Sequence, residues 1–470
     1  MAKKKPYISI SPQMRVIVMG LGRFGGGVGV ARWLCGQGCR VVVTDMEPAD
    51  RLADSVAQLT GTGCEFQLGG HDVAMLDGAD LLVVNPAVDK NKSEFVGAAR
   101  RRGIAITTEI NLFVQRCCAK IVGITGSVGK STTTAMVCQA LTACLVATPD
   151  RHCWMGGNIG HSLLMDLPSI GARDIVVLEL SSFMLEDTPA IQWSPHVALV
   201  TNLAPNHLDR HGTLADYAAV KKNILRFQNA ADIAILNAQD SAVSSWPALC
   251  HGRVMAYQVS GRPRLNLLVP GDHNQSNAQA ALVVVEALGF SDHQTAAIAA
   301  LERFSGLPHR LQLVHTDVGG AGHTVGWYND SKATTPQATL TALNAFPVKS
   351  FICIVGGYDK HLDLADLATQ LATRCAGVLG IGATGPKIID LVAKTGLLPK
   401  NRLVYTQTLA AAVQQARMWL NPTDPSFAEI KSVVLSPACA SYDQFPNYEK
   451  RGETFTALAQ QASLSAAPKA

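Results

Sequence analysis

The sequence predicts an α/β protein of three domains built on doubly wound, largely parallel sheets. Short runs of Val, Ile and Leu recur along the 470 residues with helix-like stretches between them, a pattern typical of buried parallel strands joined by helices. Two of these runs lead directly into glycine-rich turns. A single core rarely serves so long a chain, so about three domains are expected.

The apolar runs define the predicted strands, and breaks between them define the predicted domains. Breaks are predicted near Cys117–Cys118 and near Ser305–Pro308, where glycine and proline interrupt a helix-like stretch. The domains would then be 1–118, 119–305 and 306–470. The predicted strands are Arg15–Met19, Arg40–Thr44, Leu81–Asn85, Lys120–Ile124, Asp174–Leu180, Val197–Asn202, Ile233–Asn237, Ser350–Val355, Val378–Ile381 and Ser432–Ser436.

Composition excludes several classes of protein. Hydrophobic residues make up 48% and charged residues 16% of the chain, as in globular enzymes. The net charge of +4 and the short basic runs argue against a nucleic-acid-binding protein. No apolar run reaches the roughly 18 residues that span a bilayer, and no secretory leader is visible. The 12 cysteines form no CxxC pair, so reduced thiols are expected. We therefore expect a cytoplasmic protein that binds neither membrane nor nucleic acid.

The most informative segment is Ile121–Thr134, IVGITGSVGKSTTT, in which a predicted strand runs into a glycine turn. Backbone N–H groups of such a turn, and the positive end of the next helix, bind the phosphates of a nucleoside triphosphate. Lys130 adds positive charge, and the Ser131 hydroxyl is a ligand type that Mg²⁺ accepts. The spacing is one residue longer than in a standard P-loop, so the motif reads as GxxGxxGKS. We call residues Gly126–Ser131 the phosphate turn.

An earlier glycine turn, Gly20–Gly27, follows the strand Arg15–Met19, and Asp45 follows the next predicted strand. This arrangement is typical of a site that places a diphosphate over a helix N-terminus. The pattern is weak by itself, because NAD, FAD and a UDP-sugar all satisfy it.

Three further residues are candidates for chemistry near the phosphate turn. Glu179 lies at the carboxyl end of a predicted parallel strand, where a Mg²⁺ ligand is expected. His207 and His211 are spaced like a zinc pair, but Pro205 and the missing HExxH glutamate argue against zinc. We expect His207 instead to bind a hard cation or to orient substrate.

The helix that reads YAAVKK places one of two lysines near the same site. A lysine buried beside a metal would lose its proton readily, and the neutral amine can take up CO₂ to form a carbamate. Lys221 is the candidate and Lys222 the alternative.

Charged and polar segments recur in the last third of the chain. Arg310, Asp330 and Lys332 either clamp phosphate, ribose and an acidic substrate, or form a charged surface turn. Gly356–Lys360 and Ser436–Phe445 each follow an apolar run, where open α/β sheets bind ligands.

Seven motifs in this order resemble those of the Mur ligase family of peptidoglycan synthesis, from about Met14 to Ala457. They are GITGSVGKSTTT, GGNIG, ELSSF, NHLDRH, GLPHR, NDSKAT and SPACASYDQF. Folylpolyglutamate synthases share the ATPase core but lack a complete nucleotide-binding domain ahead of the phosphate turn, and over 100 residues precede it here.

The resemblance implies a Rossmann-like N-terminal domain for a UDP-linked substrate, a central P-loop ATPase-type domain and a Rossmann-like C-terminal domain for an amino acid. It also implies a monomer that ligates D-glutamate to UDP-N-acetylmuramoyl-L-alanine through an acyl phosphate, with ATP and Mg²⁺. Two other functions compete with this one. A nucleotide-dependent oxidoreductase would use the first glycine turn but leaves GKSTTT and ELSSF unexplained, and a non-catalytic P-loop switch would bind nucleotide without turnover.

The resemblance also implies roles for single residues. The catalytic set would be Lys130, Glu179, His207, Lys221 and Lys332. The ATP contacts would be Gly126, Ser127, Gly129, Lys130, Ser131, Thr132, Asn274, Arg310 and Asp330. The ligands of two Mg²⁺ ions would be Ser131, Glu179, His207 and a carbamylated Lys221. The substrate contacts would be Gly22, Arg23, Asp45, Asn158, Thr334, Lys360, Ser441 and Tyr442.

Overall fold

The computed structural model describes residues 6–22, 25–318, 322–420 and 429–461 of the chain. It contains three sheets, and each lies within one of the predicted ranges. The predicted α/β class is confirmed, since parallel strands alternate with helices throughout. Within the described parts, no helix combines the length and the apolar character needed to cross a bilayer.

The first sheet has the strand order β3-β2-β1-β4-β5, and all its strand pairs are parallel. Its strands are β1 Arg15–Met19, β2 Arg40–Asp45, β3 Glu65–Leu68, β4 Leu81–Val84 and β5 Ala105–Thr107. The accompanying helices are α1 Gly26–Gly36, α2 Ala53–Ala57, α3 Glu94–Arg101 and α4 Glu109–Val114.

The second sheet, also parallel, has the order β11-β10-β9-β6-β8-β7. Its strands are β6 Lys120–Thr125, β7 Cys153–Gly157, β8 Ile175–Glu179, β9 Val197–Val200, β10 Ile233–Asn237 and β11 Arg253–Tyr257. The helices of this part of the chain are α5 Lys130–Leu145, α6 Ser182–Leu185, α7 Leu208–His211, α8 Leu214–Arg226, α9 Asp272–Ala287 and α10 Gln294–Glu302.

The third sheet has the order β12-β13-β17-β14-β15-β16, with only β12 and β13 antiparallel. Its strands are β12 Gln312–Val318, β13 Thr324–Asn329, β14 Phe351–Gly356, β15 Gly377–Ile381, β16 Leu403–Gln407 and β17 Ser432–Leu435. Its helices are α11 Pro336–Leu343, α12 Ala365–Arg374, α13 Gly385–Lys394, α14 Leu409–Trp419 and α15 Tyr448–Gln460.

The chain divides into two compact units. Unit 1 contains the first two sheets, in residues Met1–Arg264 and Ser276–Leu301, and unit 2 contains the third, in Leu265–Gln275 and Glu302–Ala470. One hydrophobic core in unit 1 joins residues of both sheets, such as Val18 and Val200. The division into three domains at residues 118 and 305 stays a prediction.

Central strands are apolar on both faces because each face packs on a different core. In β1, Val16 and Val18 belong to the core shared by the two sheets, and Ile17 and Met19 to a second core. In β14, Cys353 and Ile354 likewise face separate cores of unit 2. Burial on two sides is what produces the continuous Val/Ile runs seen in the sequence.

The structure adds seven strands that the apolar runs did not reveal. Six of them, β3, β5, β7, β11, β12 and β16, are the two edge strands of each sheet, and the seventh is β13. An edge strand pairs on one side only and keeps polar, partly exposed residues, such as the alternation in β3. A search for apolar runs therefore misses it.

We expect Gly27→Ala to destabilise unit 1 by about 1–3 kcal/mol, since overpacking against rigid backbone costs this much. A Cβ at Gly27 would overlap the carbonyl oxygen of Leu21 and lie 2.5 Å from that of Gly20. Gly26→Ala is the matched control, because a Cβ there meets nothing within 4 Å. Denaturant unfolding of both variants measures the difference, and equal stability would contradict the close approach.

Candidate active site

The turn between β6 and α5 is shaped by two glycines. Gly126 has φ +151° and Gly129, the N-cap of α5, has φ +82°. A Cβ at Gly126 would overlap Thr201 Oγ1, so a side chain is excluded there by space as well as by conformation. These glycines let the backbone turn sharply from strand to helix at the carboxyl edge of the sheet.

The N-terminus of α5 differs from those of the helices that have a side-chain cap. Helices α3, α4, α8, α11, α14 and α15 begin at Ser, Thr or Asn residues whose side chains accept a first-turn N–H. Helices α1 and α5 begin instead at Gly25 and Gly129, and neither has an acidic residue in its first turn. A helix N-terminus with neither a side-chain cap nor an acidic first turn keeps N–H groups that can bind an anion.

A segment after β9 braces the phosphate turn. The Asn202 side chain accepts the N–H groups of Ser127 and Val128, at 3.2 and 2.9 Å, and donates to Val128 O at 2.9 Å. Thr201 Oγ1 donates to the same carbonyl at 2.9 Å, and Ser127 Oγ donates to Ala204 O at 2.8 Å. Asn202 therefore uses the N–H groups of Ser127 and Val128, and those of residues 129–132 follow at the start of α5.

Lys130 folds back over the turn, where its ammonium donates to Ser127 O at 3.0 Å. It is the first residue of α5, and Ser131 and Thr132 follow in the first helical turn. The predicted phosphate-binding residues therefore occupy one continuous turn.

Glu179 ends β8, the strand next to β6, and its side chain is 1% exposed. Its Oε1 accepts from Asn158 Nδ2 at 3.0 Å, and Asn158 N donates to the backbone oxygen of Glu179 at 2.9 Å. Its Oε2 has no hydrogen-bond partner among the described residues. A buried carboxylate oxygen without a hydrogen-bond partner destabilises the fold, and a bound cation offsets this cost.

Lys221, on α8, is 1% exposed and donates to Gly126 O at 2.8 Å. Its ammonium lies 4.6 Å from the centre of the Tyr217 ring. The pKa of Lys221 is lowered to about 7, mainly because burial disfavours the charged form and also because Lys130 is close, while Glu179 opposes the shift. The structure therefore brings Lys221, rather than half-buried Lys222, to the phosphate turn.

His207 is exposed and adopts a left-handed backbone, φ +53°, immediately before α7. Its ring lies 4.9 Å from that of Phe183. Partial removal of its ring from water lowers the pKa of His207, and the charges of Lys130 and Lys221 act in the same sense, while Asp209 opposes the shift. His211 is instead an internal group, since its Nε2 lies 3.0 Å from Ser182 Oγ.

The residues at this edge fit a magnesium site that is completed by a substrate. Across the described residues, no three His, Cys, Asp or Glu side chains are grouped closely enough to hold a metal by themselves. Mg²⁺ commonly binds through one or two carboxylates together with substrate phosphates. The open oxygen of Glu179 suits that mode of binding.

In the first sheet, Asp45 supports the glycine turn directly. Its carboxylate accepts the N–H groups of Gly22 and Glu47, both at 3.0 Å, and Ser55 Oγ donates to Gly22 O at 2.8 Å. Gly22 and Asp45 therefore lie side by side, and their contact with the UDP end of a substrate stays a prediction. Arg23 lies outside the described residues.

In unit 2, Asp330 follows β13 and is 8% exposed. It accepts from Ser436 Oγ at 2.8 Å and from Leu311 N at 3.2 Å, and burial raises its pKa to about 7. Arg310 and Lys332 are exposed, whereas Asn274 is buried and donates to Pro270 O at 2.7 Å.

An open pocket in unit 2 brings Thr334 and Lys360 together. Its other lining residues are Tyr358, Asp359, Leu362, Leu364, Thr384, Ala438 and Cys439. Ser441, which is 2% exposed, and Tyr442, which is 67% exposed, do not line this pocket.

The sequence did not single out Arg451, although it organises the segments around this pocket. Its guanidinium is 1% exposed and donates to Ser331 Oγ and O, Cys439 O and Ala440 O at 2.9–3.2 Å. Burial lowers the pKa of Arg451 to about 10. The bridging role of Asn202 was missed as well, because a sequence pattern does not show which polar side chain will connect two distant segments.

Comparison with known proteins gives consistent matches. Residues 14–108 match a model described as the Mur ligase MurD-like N-terminal domain, and residues 124–262 match the Mur ligase middle domain. The chain is 34% identical to the UDP-N-acetylmuramoylalanine–D-glutamate ligase of Symbiobacterium thermophilum, over 96% of this chain and 99% of that protein. The protein of the same name from Anaeromyxobacter dehalogenans is 36% identical, over 95% and 97%.

Among solved structures, MurF from Acinetobacter baumannii aligns with a TM-score of 0.56 over 94% of this chain and 93% of that one. The sequence identity is 17%, so this likeness shows a shared fold alone.

The free energy of unfolding should rise between about pH 7 and pH 10 with a Lys221 contribution of up to about 1.4 kcal/mol per pH unit. In this range the unfolded chain keeps the Lys221 proton that the folded chain, with its pKa of about 7, has lost. Below this range the lysine is charged in both states and adds no slope. Denaturant unfolding at several pH values should show the slope reduced in Lys221→Met. Equal slopes in the two proteins would contradict this assignment.

Proposed function

The chain belongs to the Mur ligase family, among its UDP-N-acetylmuramoylalanine–D-glutamate ligases, and we propose that it joins D-glutamate to UDP-N-acetylmuramoyl-L-alanine. ATP is the energy source of this family, and the substrates are small molecules. The structural observation that carries the proposal is the convergence of an uncapped helix N-terminus, Glu179 with one open oxygen, and Lys221 of lowered pKa on one sheet edge.

The proposed reaction has two steps. The alanyl carboxylate attacks the γ-phosphorus of ATP, which releases ADP and forms an acyl phosphate. The amine of D-glutamate then attacks the acyl carbon, so that the amide forms while phosphate and one amine proton leave. Both steps require charged groups to be aligned in a site from which water is excluded.

Residues of the phosphate turn would bind the triphosphate. The N–H groups of Gly129 to Thr132, at the start of α5, would bind the phosphate oxygens, and Lys130 would stabilise their negative charge. Gly126 and Ser127 shape the turn. Asn158, which holds Glu179 in place at 3.0 Å, would also contact the substrate.

Two Mg²⁺ ions would be held here, one by Ser131 and Glu179 and the other by His207 and a carbamylated Lys221. When bound, Mg²⁺ neutralises phosphate charge and orients the transferred group. Glu179 fits this role because it is buried with one oxygen unpartnered. Lys221 fits carbamylation because, with a pKa of about 7, much of it is a neutral amine near pH 7.

The remaining substrate contacts are proposed from the family's motifs. In unit 1, Gly22, Arg23 and Asp45 would serve the UDP end. In unit 2, Asn274, Arg310 and Asp330 would serve ATP, while Lys332, Thr334, Lys360, Ser441 and Tyr442 would serve D-glutamate and the acyl phosphate. The pocket that contains Thr334 and Lys360 supports this assignment, since an ammonium suits a carboxylate.

We also propose that the three sheets belong to domains 1–118, 119–305 and 306–470, which serve the UDP-linked substrate, ATP and the amino acid. A monomer would carry out the reaction in the cytoplasm, where ATP is available, without nucleic acid or membrane.

Phosphate release should require ATP, UDP-N-acetylmuramoyl-L-alanine and D-glutamate together. Lys130→Ala should lower kcat by at least about a hundredfold, because it removes charge stabilisation of the transition state. Lys120→Ala is the matched control, since Lys120 is exposed at the start of β6, the strand that leads into the phosphate turn. A coupled ADP assay with a panel of free amino acids measures both the requirement and the preference. Phosphate release at the same rate when UDP-N-acetylmuramoyl-L-alanine or D-glutamate is left out, or consumption of NAD(P)H, would contradict the proposal.

Lys221 should carry the mass of one added CO₂ when the protein is prepared with bicarbonate and Mg²⁺. Native mass spectrometry detects the increment, and ¹³C-bicarbonate gives a carbamate signal by NMR. The modification should be absent from Lys221→Met and retained in Lys222→Met. An active enzyme with an unmodified Lys221 would refute this part of the proposal.

A further inference from the structure

A loop after β4 links the first glycine turn to the second sheet of unit 1. We name residues Asn85–Lys90 the substrate-side loop. At its start, Asn85 Nδ2 donates to Gly20 O at 3.3 Å, and Asn85 Oδ1 accepts from Ala87 N at 3.0 Å. The loop is therefore anchored to the turn proposed to hold the UDP end of the substrate.

Arg210, on α7, holds the other side of this loop. Its side chain is 11% exposed and donates to Ala87 O at 3.3 Å, to Val88 O at 3.1 Å and to Glu186 Oε2 at 2.7 Å. A planar guanidinium can satisfy several acceptors at once, which a lysine ammonium cannot do in the same geometry. Arg210 therefore connects two carbonyl groups of the loop with the carboxylate of Glu186.

An ion pair between Lys90 and Asp187 holds the end of the same loop. Lys90 Nζ is 2.9 Å from Asp187 Oδ2, and the two side chains are 8% and 18% exposed. Asn111 Nδ2 also donates to Asp187 O at 2.9 Å. Since the loop is held at more than one point, removing Arg210 alone should leave the fold intact.

The contacts of Arg210 continue to the candidate active site through Phe183. The Arg210 guanidinium lies 5.0 Å from the centre of the Phe183 ring, and the His207 ring packs on that ring at 4.9 Å. Phe183 belongs to α6, which follows β8 and Glu179 directly. One aromatic ring therefore contacts both the residue that holds the substrate-side loop and a proposed metal ligand.

We propose that Arg210 is a positioning residue of the ligase reaction, which aligns the bound UDP-sugar with His207 through the substrate-side loop and Phe183. This inference rests on the proposed function. Loss of Arg210 releases the two loop carbonyls and one face of Phe183, so the UDP-sugar binds less well and its carboxylate is misaligned. ATP affinity should change little, because the phosphate turn is braced separately by Asn202.

The test is steady-state kinetics of Arg210→Met and Arg210→Lys with Mg·ATP, D-glutamate and UDP-N-acetylmuramoyl-L-alanine. We expect KM for the UDP-sugar to rise about tenfold and kcat to fall about tenfold in both variants, with KM for ATP within about twofold of wild type. Arg173→Met is the matched control, since Arg173 is 67% exposed in a surface ion pair with Asp150. Unchanged kinetics are expected there.

A double-mutant cycle with Phe183→Leu tests the route. If Arg210 acts through Phe183, the fold-loss of kcat in the double variant should be close to that of the more severe single variant. It should be smaller than the product of the two single fold-losses. Independent, multiplicative effects would overturn the route, and a lowered Tm with unchanged KM for the UDP-sugar would overturn the positioning role. An inactive wild type would instead refute the proposed function on which the inference rests.

Discussion

The site depends on the steric fit between Gly126 and Thr201. The backbone at Gly126 occupies space that leaves no room for a Cβ, and the Thr201 hydroxyl and Asn202 amide bind the next residues of the turn. This fit gives the chain its sharp change of direction between β6 and α5. It also places the N-terminus of α5 at the carboxyl edge of the sheet, where the first-turn N–H groups and the helix dipole would stabilise a bound anion.

Strand order explains why distant residues meet at this turn. The order β9-β6-β8-β7 places the carboxyl ends of four parallel strands side by side. Glu179 ends one of these strands, and Asn202, the phosphate turn and Asn158 each follow another. Parallel sheets bring their functional residues to one edge in this way because every strand ends on the same side.

Burial then determines the chemistry of those residues. Glu179 and Lys221 are both 1% exposed, beside the same turn, and burial brings the pKa of Lys221 to about 7. In unit 2, burial raises the pKa of Asp330 to about 7 and lowers that of Arg451 to about 10, so that Arg451, which donates to backbone oxygens, stays charged near neutral pH. Removing a charged group from water favours its neutral form unless dipoles or counter-ions replace the solvent.

The sequence by itself determined the α/β class, the central strands and the phosphate turn, because two-sided burial and glycine backbone conformation are local requirements that each leave a recognisable pattern. Only the tertiary structure decided the edge strands, the choice of Lys221 over Lys222, and the bridging roles of Asn202, Arg210 and Arg451. These depend on which side chains become buried against partners far away in the chain. The sequence shows that a residue is an arginine, but only the packing around it determines whether that arginine is buried or exposed.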